Sequence, residues 1–141
     1  MPTRKANAIW KGSLKNGKGT MKMASRAYEG AYSFGSRFKN EEGTNPEELI
    51  GAALAGCFSM ALSLELSEAD YTPESIDTDA EVTFEVNDGG PEISGIKLIT
   101  RAKVPGIADD KFQEFAEDAK NGCPVSKALK GTTVTLEATL L

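Results

Sequence analysis

The chain contains no histidine. That absence excludes a Ser–His–Asp triad, a Cys–His nucleophile pair and every histidine-built metal site. Cysteine is scarce. Only Cys57 and Cys123 occur, 66 positions apart, too few to hold a zinc ion by themselves. Neither glycine-rich phosphate loop, G-x-x-x-x-G-K-[ST] or G-x-G-x-x-G, is present. Basic charge is outnumbered: 16 Lys and Arg face 21 Asp and Glu, a formal net charge of −5. Phosphate backbones select basic surfaces, so no nucleic-acid partner is expected. The longest apolar run, residues 49–62, has 14 residues, whereas a membrane span needs about 20. The opening "MPTRKANAIWKG" shows no apolar h-region, so no signal peptide is expected. A cytoplasmic location follows as the expectation, with no structural disulfide. Any chemistry falls to Cys, Arg, Glu, Asp, Lys, Ser or Tyr.

What is there fits one globular domain over residues 1–141, with 40% apolar and 26% charged residues. Residues 6–14 and 18–25 flank Asn16-Gly17, a type I′ hairpin signal, and are expected to pair antiparallel. A third short strand is expected over 28–34. "GSRFKNEEGT" reads as a loop. A helix then starts at Asn45-Pro46, with Asn as cap, Pro in the first helical position and Glu47 and Glu48 at the positive end of the dipole. Its apolar residues cover all sides, which predicts burial all round, and it ends near Ala69. Residues 79–86 and 95–104 read as strands joined through "NDGG". A helix over 109–120 presents Phe112, Phe115, Ala116 and Ala119, capped by Asp109 or Asp110, with Gly122 as its C′ residue. "CPVSKALKG" reads as a short helix with Cys123 at the N-cap and Pro124 at N1. "TTVTLEATL" closes the chain as an alternating strand. The class is α+β, with antiparallel sheets packed on a central apolar helix.

Composition alone reads Cys57 as core packing. A mid-helix thiol gains nothing from the helix N-terminus, and apolar burial raises its pKa. To react it needs a cation beside it. Cys123, at a helix N-terminus, is better placed to ionise, and its plain alternative is a solvent-exposed cap without chemistry. Together, one shielded and one capped thiol suit a two-cysteine peroxide cycle.

"GTNPEELIGAALAGCFSMAL" and "NGCPVSKAL" strongly resemble the OsmC/Ohr family of thiol peroxidases, its OsmC branch in particular, and the similarity extends from "WKGSLKNGKGT" to the final strand. The resemblance implies an intertwined homodimer of α+β fold with long central helices. It implies reduction of organic hydroperoxides, and of hydrogen peroxide, without metal or bound cofactor. The reductant it implies is an external dithiol, often a lipoyl protein. By motif, Cys57 is the peroxidatic thiol, Cys123 the resolving one, Arg37 the cation and Glu47 the carboxylate that holds it. Arg26 competes for the cation's role. An apolar wall from Phe58, Met60 and nearby aromatics would favour bulky alkyl hydroperoxides over hydrogen peroxide. The alternative is a thiol redox sensor or stress-associated binding protein without turnover; the osmotic-stress association lies only in the family's name.

Glu47 and Cys57 are ten residues apart on one predicted helix. That separates them by ~15 Å along the axis and ~80° around it. One straight helix cannot bring both to one reacting atom. Either each site takes Glu47 from one subunit and Cys57 from the other, or the helix breaks between them.

Overall fold

A computed structural model describes residues 1–141. The elements, in chain order, are β1 (Ala6–Lys11), β2 (Lys18–Met23), β3 (Glu29–Tyr32), α1 (Phe34–Phe38), α2 (Pro46–Glu68), β4 (Ser75–Asn87), β5 (Gly90–Lys103), α3 (Asp109–Gly122), α4 (Pro124–Ala128) and β6 (Thr133–Leu140). The α+β class is as expected. The chain divides into two compact units, Met1–Leu49 and Ile50–Leu141, and α2 begins in the first and runs on through the second.

The first unit is the antiparallel sheet β1-β2-β3 followed by the short helix α1. Lys11 pairs with Lys18, so residues 12–17 form the connection and Asn16-Gly17 does not make a two-residue turn. The left-handed backbone falls at Gly12, with φ +100°. Gly17 serves a different need: its N–H meets Ser13 O at 2.7 Å, and a Cβ there would lie 2.4 Å from the same oxygen. The stretch expected to be loop contains α1. Ser33 caps it, with reciprocal bonds between Ser33 and Ser36, a local device that hydrophobic periodicity does not register.

The second unit holds the sheet β4-β5-β6. β4 and β5 are antiparallel and longer than their alternating cores suggested. β6 does not follow the antiparallel expectation; it lies parallel to β5. The reason is the connection. A strand that returns after a helical crossover of this length, here α3 and α4, re-enters the sheet in the same direction. α3 starts from Ala108 with no side-chain cap, so Asp109 and Asp110 act only as first-turn acids. Gly122 is the last helical residue, and the chain bends at Cys123, which ends α3 and caps α4.

Leu54, Phe58, Leu62 and Leu66, one per turn, are fully buried with Leu98, Phe112, Ala116 and Cys123. Burial all round is not what α2 shows. The opposite face leaves Met60 78% and Leu64 58% exposed, because the chain's own sheet covers only one side. By length and composition α2 would pass for a membrane span, but its buried leucine stripe marks it as a core helix. Gly51 lets it approach β4 closely, since a Cβ there would meet Val82 Cγ2 at 3.1 Å. A hydroxyl chain fixes its rotation. Ser59 Oγ lies 2.8 Å from Thr78 Oγ1, Thr78 Oγ1 lies 2.9 Å from Thr100 Oγ1, and Thr100 donates to Asp77 O. Each hydroxyl has one proton, so the chain runs in one direction, from Ser59 to the Asp77 carbonyl.

Leu62→Ala is expected to cost about 2–5 kcal/mol in denaturant unfolding at fixed protein concentration. A loss below ~1 kcal/mol would contradict the assignment of this stripe as the core that seats α2.

Candidate active site

In the first unit, short hydrogen bonds place one arginine against one carboxylate. Ser36 Oγ donates to Thr44 O at 2.7 Å, and Asn45 Nδ2 donates to Ser36 O at 3.2 Å. Asn45 Oδ1 accepts from the Glu48 N–H at 2.8 Å, the N-cap expected for α2. These bonds tie the last turn of α1 to the first turn of α2. Arg37 Nη2 then donates to Glu47 Oε1 at 2.7 Å, and Nε donates to Oε1 at 3.0 Å and to Oε2 at 3.3 Å. Charge-assisted bonds of this kind aim as well as hold a guanidinium. Glu47 is buried, while Glu48 is exposed and spends its N–H on the cap. Arg26, the competing cation, stands exposed in the turn before β3 with φ 66°. The arginine that grips Glu47 is Arg37.

Beside Arg37 lies a cavity of about 210 Å³ walled by Trp10, Leu14, Tyr32, Phe34 and Phe38. The guanidinium carbon sits 5.4 Å from the Phe38 ring centroid. Of the residues expected for an apolar wall, Phe58 is fully buried core and Met60 stands exposed on α2. No sequence period picks out the Trp10–Phe38 group, because its members come from strand, turn and short helix.

In the second unit the two cysteines meet. Both are free thiols; Cys57 is half-buried and Cys123 fully buried. Cys57 packs against the buried core that includes Cys123, and each thiol shifts the other. The first turn of α4 surrounds them. The Val125 N–H donates to the Cys57 sulfur. The Ser126 N–H donates to Cys123 Sγ at 3.3 Å, and Ser126 Oγ lies 3.3 Å from the same sulfur. Val125 and Ser126 were not anticipated from the sequence. "CPVS" carried the signal: a cysteine cap on so short a turn aims the next amides back at whatever packs beside it.

The sulfurs share one negative charge unequally. Burial pushes the Cys57 thiol up; the Val125 amide opposes this, and the neighbouring Cys123 adds to it. Burial also pushes Cys123 up, but hydrogen bonds from Ser126, Cys57 and Val125 outweigh it, leaving Cys123 below the ordinary thiol value. No guanidinium is among the groups that act on Cys57. Within the single chain these directions favour charge on Cys123, whereas a peroxidatic Cys57 must carry it. It is also a buried cap, not the solvent-exposed one of the plain reading. The four residues thus form two pairs: Arg37 with Glu47, and Cys57 with Cys123. α2 is unbroken from Pro46 to Glu68, which removes the broken-helix option and leaves Glu47 and Cys57 ~15 Å apart along the axis.

A pKa held down means that the thiolate persists to lower pH, and a pKa pushed up means that the second proton stays on to higher pH. Thiolate ultraviolet absorbance against pH is expected to rise in two separated steps, and either Cys57→Ser or Cys123→Ser to leave a single one. One step at the ordinary cysteine value would contradict the shared proton.

A family model described as OsmC-like protein matches residues 39–137. Over 128 residues the chain is 51% identical to peroxiredoxin OsmC of Escherichia coli (strain K12), covering 90% of each chain. The crystal structure of the organic hydroperoxide resistance protein OhrB of Bacillus subtilis matches with a TM-score of 0.75 at 25% identity, over 96% of this chain and 98% of that one. The OsmC-like protein of Mycoplasma pneumoniae, at 16% identity, shares the fold with a TM-score of 0.79 over 99% and 98% of the two chains. With most of its length matched by the family and by a relative at this identity, the chain belongs to the OsmC family.

Proposed function

We propose that this cysteine-based peroxidase reduces organic hydroperoxides, and hydrogen peroxide, by a two-thiol cycle in which Cys57 is oxidised and Cys123 resolves it. The observation that carries this reading is that the two free thiols lie in one core cluster beside the first turn of α4, close enough to shift each other. The names of the relatives, a peroxiredoxin and an organic hydroperoxide resistance protein, support the same chemistry.

The Cys57 thiolate attacks the distal peroxide oxygen. An S–O bond forms, the O–O bond breaks, and the alkoxide takes a proton and leaves as the alcohol. The Cys123 thiolate then attacks the Cys57 sulfur, expelling hydroxide and closing a disulfide. An external dithiol, of the lipoyl type, reopens it and is itself oxidised by two electrons. No metal or bound cofactor enters these steps.

Cys57 needs a cation to compete with Cys123 for the charge. We assign that cation to Arg37 of a second copy of the chain, aimed by the Glu47 of that same copy. An opposite charge within a few ångströms lowers a pKa by about 1–3 units, enough to reverse the order of two neighbouring thiols. The same guanidinium stabilises charge growing on the leaving alkoxide. A homodimer also explains what covers Met60 and Leu64 on the open face of α2. The cavity walled by Trp10, Tyr32 and Phe34 travels with Arg37 and suits the organic group of a hydroperoxide. Each CH₂ buried there adds about 0.8 kcal/mol. The chain works as one OsmC-like domain over residues 1–141, in a reducing cytoplasm where its thiols stay free.

Cumene hydroperoxide consumption with dihydrolipoamide tests the cycle. Cys57→Ser is expected to abolish turnover. Cys123→Ser should allow one round of oxidation and then stall. Arg37→Ala should lower the rate by ~10²–10³. Sustained turnover by Cys57→Ser would overturn the assignment.

A further inference from the structure

Cys123 has to act as an anion while fully shielded from water. Its sulfur is reached by hydrogen-bond donors from only a few groups: Ser126, the Cys57 thiol and the Val125 amide. One of them disappears during the reaction. Once Cys57 is a sulfenic acid, its S–H donor to Cys123 no longer exists. The Val125 amide is shared with the Cys57 sulfur. Ser126 is what remains dedicated to Cys123, through its N–H and its hydroxyl, each 3.3 Å from the sulfur.

Resting on the two-thiol cycle above, we infer that the Ser126 hydroxyl is a catalytic group for the resolving half-reaction, turning its proton onto Cys123 Sγ when that sulfur is charged. In the resting thiol form the Cys123 S–H donates to Ser126 Oγ. A hydroxyl both accepts and donates, so when the thiol loses its proton the Ser126 O–H rotates and donates along the same line. A bond to an ionised acceptor is roughly twice as strong as a neutral one, and here water cannot substitute for it. The Cys123 thiolate then attacks the Cys57 sulfenic sulfur; the S–S bond forms, the S–O bond breaks, and hydroxide leaves and is protonated to water. The hydroxyl acts again when the external dithiol opens the disulfide at the accessible Cys57 sulfur, because Cys123 departs as a thiolate and a better-stabilised thiolate leaves faster. That leaves a mixed disulfide on Cys57, which the second thiol of the reductant resolves.

The test is single-turnover oxidation of the full chain by cumene hydroperoxide, following sulfenic acid formation and disulfide closure separately in wild type, Ser126→Ala and Ser126→Thr. Ser126→Ala is expected to form sulfenic acid at the wild-type rate but to close the disulfide about tenfold more slowly at neutral pH, the equivalent of one pKa unit. The gap should narrow as pH rises, and Ser126→Thr, which keeps the hydroxyl, should close at close to the wild-type rate. Ser126→Ala closing the disulfide at the wild-type rate across pH, or slowing both steps equally, would overturn the inference. A readout without peroxide separates this from failure of the cycle itself. In a Cys57→Ser background, which leaves Cys123 as the single thiol, adding Ser126→Ala is expected to move the thiolate absorbance midpoint to higher pH. An unmoved midpoint would also overturn the role of the hydroxyl.

Discussion

Of two neighbouring sulfurs, the first to carry a negative charge opposes charge on the second, and this one constraint organises the rest of the molecule. Within the chain, donors from the first turn of α4 hold the Cys123 thiol below its ordinary value although it is buried. Cys57 is pushed up by burial and by its neighbour. In the proposed cycle that arrangement suits the second half, where Cys123 is the nucleophile. The proposed first half needs it inverted, which takes a positive charge beside Cys57.

The cation is prepared elsewhere. Arg37 is gripped by the buried Glu47 through three short N–H···O contacts, and the Ser33–Ser36–Thr44–Asn45 bonds hold the two helix ends that carry them. A carboxylate of this kind fixes the direction in which a guanidinium points. Because α2 is one unbroken helix, its first turn and its middle cannot serve the same reacting atom. The second copy proposed above would resolve the geometry and cover the open apolar face of α2 in the same act. Under that proposal catalytic pairing and burial of Met60 and Leu64 are one requirement.

How much of this the sequence disclosed depended on the range of the interactions. The cap at Asn45-Pro46, the Cys123 cap with Pro124 at N1, and the alternation through β6 are local, and they read directly. Pairing Arg37 with Glu47 was legible through resemblance, and the geometry supports it with a physical contact. Three things were out of reach. The parallel seat of β6 depends on a crossover that no single segment encodes. α1 is five residues held by hydroxyl bonds, with no hydrophobic period to announce it. The opposite shifts of the two thiols involve Ser126, whose N–H bonds its own cap Cys123, and Val125, whose N–H acts on Cys57 of α2 only once the chain is folded. The one-sided exposure of α2 was misread for a related reason: an all-round apolar helix tells that it must be covered, not by how many chains.

The most direct measurement of the central claim mixes two inactive proteins. Arg37→Ala supplies intact thiols, and Cys57→Ser supplies an intact arginine and glutamate. If the guanidinium of one copy serves the sulfur of the other, unfolding and refolding the two together assembles one complete site in each mixed dimer, and peroxide consumption returns to roughly a quarter of wild type by random pairing. If the mixture stays as inactive as its components while mixed dimers are shown to form, the charge that activates Cys57 comes from its own chain, and the assignment of Arg37 across the dimer is wrong.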